Sequence, residues 1–154
     1  MFKFDLQHVL DYRVSLEEKC QVSYSDQLRC VENERRVLDA IKARKEIMME
    51  QFLNVQNTEM NAADIGMYIS YMKQMIAKEE EQTAILSGAE AVLEEKRVLL
   101  LEAVKNRKAM ENLKEKKLQQ FRSGTLEKER KELDEFGIVK YQGKVEDEEG
   151  DRSL

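Results

Sequence analysis

The feature that most constrains this chain is a long apolar repeat, free of proline, that runs from Ile65 to Gln120. Its apolar residues return in steps that alternate between three and four positions, as in Tyr68, Met72 and Met75. A period of 3.5 residues keeps one stripe of a helix against a partner helix along its whole length. As one helix, the segment would be roughly 84 Å long at about 1.5 Å per residue. We therefore expect it to pack against another long helix.

The composition agrees with long helices and argues against several other classes of protein. The 154 residues include no proline, and 37% of them are charged, which is typical of coiled coils. The net charge of −5 does not indicate nucleic acid or an anionic membrane as the partner of the whole chain. No stretch approaches the roughly 18 apolar residues of a membrane span, and the first residues lack a signal-peptide pattern. We expect a cytoplasmic protein without a membrane span.

A second repeat with the same steps precedes the first and predicts another helix, at about residues 5–56. It begins at Leu6, passes through Leu10, Val31 and Leu38, and ends near Val55. Five polar side chains occupy repeat positions and weaken the predicted seam: Arg13, Glu17, Gln27, Glu34 and Lys45.

The two predicted helices are separated by a short polar segment, about residues 57–63, which predicts a turn. Asn61 and Asp64 are suited to cap the second helix, predicted at about residues 64–141. So short a connection permits only antiparallel neighbours. Pairing the two repeats about residue 60 places Phe52 beside Tyr68 and Leu10 beside Met110.

The second helix is longer than the first and overhangs it. Ser123 and Gly124 predict a kink, after which residues 125–136 carry Leu126, Leu133 and Phe136 without a partner. The acidic residues 142–154 are expected to be a disordered tail. The predicted fold is therefore all-α: a long antiparallel two-helix coiled-coil hairpin over residues 1–141, monomeric, with an overhanging C-terminal helix.

Nothing in the sequence assembles an active site. His8 is the only histidine and the glycines are scattered, so neither a catalytic base nor a phosphate-binding loop is indicated. Cys20 and Cys30 lie roughly 15 Å apart on one helix, beyond the reach of a disulfide. We predict no catalytic residues, no cofactor and no metal site.

Two stretches are candidates for binding a partner. Residues 96–122 hold nine basic and three acidic side chains but only Phe121 as an aromatic, which favours an acidic protein partner over nucleic acid. The hairpin tip is rich in methionine and tyrosine, including Met49 and Tyr71, which suits protein docking as well as seam packing. A nucleic-acid-binding coiled coil and a purely structural adaptor stay as alternatives.

The ends of the chain resemble the family of the flagellar export protein FliJ. The resemblance lies in residues 2–13, FKFDLQHVLDYR, and in residues 107–117, RKAMENLKEKK. Glu17 and Glu18 follow the first segment, and Leu133, Asp134 and Glu135 follow the second.

This resemblance implies a role like that of the central stalk of a rotary ATPase. The paired ends would enter and activate a hexameric flagellar export ATPase, and the tip would contact the membrane export gate, with export chaperones as further partners. It implies a cytoplasmic protein at the inner face of the membrane. The ATPase-facing candidates are Arg13, Arg107, Glu111, Lys114, Lys117, Leu133, Asp134, Glu135 and Phe136. The gate-facing candidates are Ile41, Met48, Tyr68, Tyr71 and Met75.

Overall fold

Two long helices make up the fold. The computed structural model describes residues 1–55 and 61–150, and the side chains of residues 1–55 and 61–145. Helix α1 spans Gln7–Val55 and helix α2 spans Ala62–Gly150, and the described residues include no strand. The contacts group into two units, one formed by Arg13–Asn106 and the other by Met1–Tyr12 with the chain from Arg107 onward.

Within the Arg13–Asn106 unit, the two helices pack side by side and run in opposite directions. Gln27 contacts Ala89, and Glu34 contacts Gln82. Residues later in α1 therefore contact residues earlier in α2. Near the end of α1 and the start of α2, the Phe52 ring stacks on the Tyr68 ring, with centroids 3.9 Å apart. These contacts confirm the predicted antiparallel hairpin.

The seam of this unit contains the residues that the sequence repeats predicted. Val31 and Leu38 of α1 and Met75 and Ala103 of α2 are buried, because the 3.5-residue period turns them all toward the opposite helix. Most other repeat positions are half-buried, and those at the ends of the repeats, such as Val55, are exposed.

Polar residues in the seam are matched across it. The Gln27 side-chain amide donates to the backbone carbonyl of Ala89 at 3.0 Å, and Gln82 of α2 donates to that of Glu34 at 3.1 Å. Gln82 also donates to the Glu34 carboxylate. Because the two bonds run in opposite directions between the helices, together they fix the register in which the helices pair.

Ion pairs add to the matching of the seam. Lys45 pairs with Glu79 at the half-buried edge, and Arg35 pairs with Glu90 at 3.0 Å on the exposed surface. Partly buried pairs are screened less by salt than exposed ones.

In the other unit, residues before α1 take part in the packing. Phe4 and Leu10 are buried, the Phe2 and Phe121 rings lie 5.7 Å apart, and Lys114 Nζ donates to Gln7 Oε1 at 2.8 Å. Phe2 and Phe4 precede α1, so the packing in this unit extends beyond the predicted helix pair and reaches Phe121 of α2.

Helix α2 extends further than the expected helix. It is continuous through Ser123 and Gly124, the position of the predicted kink, and Thr125 Oγ1 donates to the Phe121 carbonyl at 2.9 Å. It also continues past Tyr141 to Gly150, since extending an established helix costs little. The rest of the expected disordered tail, residues 151–154, lies outside the described residues.

The start of α2 agrees with the sequence. The amides of Asp64 and Ile65 donate to the carbonyl of Asn61, as expected for a helix that begins immediately after Asn61. Of the predicted turn at 57–63, residues 57–60 lie outside the described part of the chain.

Candidate partner-binding surfaces

The end of α2 is exposed on all its sides. Every residue from Thr125 to Val145 is exposed, and Leu133 and Phe136 keep 72% and 76% of their accessible surface. Asp134 and Glu135, the charged candidates beside them, are exposed as well. The structure thus places four of the predicted ATPase-facing residues on the exposed end of α2. We call residues 125–145 the overhang.

The overhang contains further apolar side chains that the sequence reading missed. Ile138, Val139 and Tyr141 are exposed, and Val139 keeps 67% of its surface. These residues do not follow a regular three-four repeat, so the repeat does not predict them. Their irregular spacing places apolar side chains on several sides of the helix.

Two of the basic ATPase-facing candidates, Arg107 and Lys114, already have partners within the protein. Arg107 forms an ion pair with Glu111 at 2.7 Å, and the Arg107 side chain is only 22% exposed. Lys114 is half-buried and bonds to Gln7, whereas Lys117 is exposed. Lys117 is therefore the most accessible of these basic candidates. Arg13, the remaining one, is half-buried in the Arg13–Asn106 unit.

The predicted gate-facing residues belong mainly to the seam. Met75 is buried, with 3% of its surface exposed, so it has no surface to offer a partner while the helices stay paired. Ile41, Met48 and Tyr71 are half-buried. Tyr68 is half-buried too, with its ring against Phe52.

A different set of apolar residues is exposed near the tip. Apart from Ile65, the first position of the seam repeat, these residues lie off that repeat. The exposed side chains of this set are Ile47, Met49, Leu53, Ile65, Met67, Ile69 and Ile76. We call them the tip patch. Of these, the sequence reading had singled out Met49 as lying off the seam.

The basic stretch at 96–122 is less available than its composition indicates. Lys96 is half-buried, and Arg97 makes two hydrogen bonds to the Glu94 carboxylate at 2.6 and 2.8 Å. The side-chain hydrogen bond from Arg97 lowers the pKa of Glu94, and the same bond raises the pKa of Arg97. Such pairing compensates part of the positive charge of this stretch.

Among the described residues, no group of three or more His, Cys, Asp or Glu side chains is placed to hold a metal ion. Nor is any helix in the described part of the chain long and apolar enough to cross a membrane. Cys20 and Cys30 are both free thiols, as their spacing predicted.

Fold and surfaces define an all-α, antiparallel two-helix protein with an uncovered helical end. Comparison with known proteins identifies its family: the sequence model of the flagellar FliJ protein matches residues 2–146, and the chain belongs to that family. The family match confirms the resemblance to FliJ that the ends of the sequence indicated. Family membership makes the chain a component of the type III protein export apparatus, whose FliJ-type components are not catalytic.

A solved structure shares the fold. It is that of a YscO homolog from Chlamydia trachomatis, which is 19% identical, with a TM-score of 0.54 over 92% of this chain and 96% of that one. No curated protein matches the sequence significantly.

Proposed function

We propose that this chain is a stalk-like adaptor that inserts its overhang into the pore of a hexameric export ATPase and activates ATP hydrolysis. In this proposal the tip patch contacts the membrane export gate, so that the protein works in the cytoplasm at the inner face of the membrane. Membership of the flagellar FliJ family supports this class of role.

The observation that carries the proposal is the distribution of apolar side chains on the overhang. Phe136 and Val139 lie on one side of the helix, while Ile138 and Tyr141 lie on the other, and all four are exposed. A helix that is apolar on several sides is stable when it is surrounded. A ring surrounds a helix, whereas a flat partner covers one side of it.

The mechanism we propose is positional and not chemical. A single helix has no six-fold symmetry, so the subunits of a ring contact it unequally. Unequal contacts favour one conformation in one subunit over its neighbours and thereby bias the hydrolysis cycle. The exposed carboxylates Asp134 and Glu135 and the ammonium of Lys117 would orient the helix as it enters.

Stimulation of ATP hydrolysis by the host's own export ATPase tests this proposal. We expect the double variant Phe136→Ser/Val139→Ser of the full chain to need at least about tenfold more protein for half-maximal stimulation, because two apolar anchors are lost. The matched control is Val22→Ser/Leu53→Ser, since Val22 and Leu53 are both 61% exposed but lie outside the overhang. Equal stimulation by the two double variants would contradict the proposal.

A separate measurement tests the tip. We expect Met67→Asp/Ile69→Asp to reduce capture by the soluble part of the export gate and to leave ATPase stimulation unchanged, because the tip patch is not part of the overhang. The half-buried candidates Met48 and Tyr68 are poor test positions, since changing them disturbs the seam.

A further inference from the structure

One row of side chains on the overhang has a pattern of its own. Leu126, Arg130, Asp134 and Ile138 follow each other at intervals of four residues, so they lie along the same side of α2. All four are exposed. The row consists of a basic and an acidic residue between two apolar ones.

The two charges in the row are not paired with each other. Arg130 and Asp134 are spaced as helical ion pairs usually are, yet neither makes an ion pair or a side-chain hydrogen bond with any residue that the structure describes. By contrast, Arg107 and Glu111, at the same spacing, are joined at 2.7 Å. Both charges of the row are thus available to another molecule.

The row is complementary to an antiparallel copy of itself. If a second copy of the row runs antiparallel to the first, Leu126 faces Ile138 and Arg130 faces Asp134. The two-fold symmetry of such a pair repeats each contact, so that two apolar contacts enclose two ion pairs. From this complementarity we infer that two copies of the chain associate through their overhangs, as an antiparallel dimer centred on this row.

The row does not simply continue the packing surface that α1 uses. Continuing the three-four steps of the seam beyond Met110 and Phe121 leads to Lys128 and Lys131, which are charged and exposed. A further helix that packed on α2 as α1 does would therefore contact these two lysines and not the row. The alternation of charge fits a second copy better than an uncharged apolar helix, which would leave Arg130 and Asp134 unpaired.

This inference does not depend on the proposed function, because it concerns the protein without any ATPase. It replaces the expected monomer with a reversible dimer. Phe136 and Val139, the residues altered to test the ATPase proposal, lie roughly 140–160° around the helix from the middle of the row at about 100° per residue. The two surfaces can therefore be changed independently.

The test measures the mass of the full chain by sedimentation equilibrium over a range of concentrations. We expect Arg130→Asp alone and Asp134→Arg alone each to weaken the dimer at least about tenfold, because each places like charges opposite one another. A mixture of the two variants should dimerise again, since the row of one variant then carries two carboxylates and faces the two guanidinium groups of the other. Neither variant alone can restore that match.

Two controls make the same charge changes on the opposite side of the helix. Lys128→Asp matches Arg130→Asp, and Glu132→Arg matches Asp134→Arg; we expect both controls to dimerise like the unaltered chain. Circular dichroism verifies that all variants keep their helical content. The inference is overturned if the unaltered chain is monomeric at every concentration, if the controls weaken the dimer equally, or if the mixture stays monomeric.

Discussion

Gln82 of α2 donates a hydrogen bond from its side-chain amide to the backbone carbonyl of Glu34 on α1, at a distance of 3.1 Å. Gln82 is buried and also bonds to the Glu34 carboxylate. The pair is stable only while both partners are present: without Glu34 the buried Gln82 amide would lose an acceptor, and without Gln82 the half-buried Glu34 carboxylate would lose its donor.

Substitution of Gln82 should show this dependence. We expect Gln82→Ala to lower the free energy of unfolding by about 1–3 kcal/mol, since the Glu34 carboxylate loses its donor. Gln82→Leu combined with Glu34→Leu should recover most of that loss, because no polar group is left unpaired. Chemical denaturation measures both, with Gln74→Ala on the exposed surface of α2 as the control. A Gln82→Ala variant as stable as the control would show that the bond contributes nothing.

The Lys45–Glu79 ion pair should contribute more than the Arg35–Glu90 pair. The side chains of the first pair are 25% and 22% exposed and those of the second are 56% and 48% exposed, so water screens the second pair more. We expect Glu79→Lys to cost about 1–2 kcal/mol of stability, with recovery in Lys45→Glu/Glu79→Lys, and Glu90→Lys to cost less than about 1 kcal/mol. Thermal melts of these variants measure the losses of stability. Equal losses from Glu79→Lys and Glu90→Lys would contradict a larger contribution from the Lys45–Glu79 pair.

The ring stack at the tip should hold the ends of the two helices together. The Phe52 and Tyr68 rings are nearly parallel, at 9°, and close to each other. Phe52→Ala removes this contact and should cost about 1–3 kcal/mol, less than in a full core because Phe52 is half-buried. Hydrogen exchange of the amides beside Tyr68 should accelerate. Leu53→Ala, the exposed neighbour, serves as the control and should leave exchange unchanged.

The pH dependence of the Glu94–Arg97 pair follows from the lowered pKa of Glu94. Because the folded carboxyl has a lower pKa than the unfolded one, the stabilisation is present above the ordinary value of 4.5 and is lost as the pH falls through the lowered value. We expect a titration of the Glu94 carboxyl carbon by NMR to give a midpoint below that of the same residue in Arg97→Gln. Identical midpoints would mean that the pair does not form in solution.

Two glycines within α2 should be replaceable at a gain in stability. A Cβ added at Gly88 or Gly124 meets no atom within 4 Å, and alanine favours a helix over glycine by about 1 kcal/mol. Gly88→Ala should therefore raise the melting temperature. Gly124→Ala should slow hydrogen exchange in the overhang without changing exchange in the seam. A fall in stability at either position would mean that the glycine has a role beyond helix packing.

The sequence predicted the seam well because a period of 3.5 residues has one structural solution. Phe52 and Tyr68 are each eight positions from residue 60, and they do stack. Long side chains were harder to place. Pairing about residue 60 also sets Gln27 opposite Leu93, yet Gln27 bonds to the carbonyl of Ala89, one helical turn away, because its amide reaches along the helix.

Predictions outside the repeat were less complete. The repeats could not show that Phe2 packs against Phe121, since Phe2 precedes both the first repeat position, Leu6, and the start of α1. For the tip, the sequence made Met75 both a seam residue and a gate candidate, and burial of its side chain favours the seam. The exposure of the tip patch and of Val139 could be recognised only from the structure, because it depends on which residues the other helix covers.

The reciprocal bonds of Gln27 and Gln82 have a mechanical consequence within the Arg13–Asn106 unit. Each ties a side chain of one helix to the main chain of the other, so a lengthwise slip of either helix breaks both bonds at once. Shear along the seam is therefore resisted in both directions, while bending of the pair leaves the bonds intact. A thrust applied to α1 in this unit is therefore passed on to α2 through these bonds.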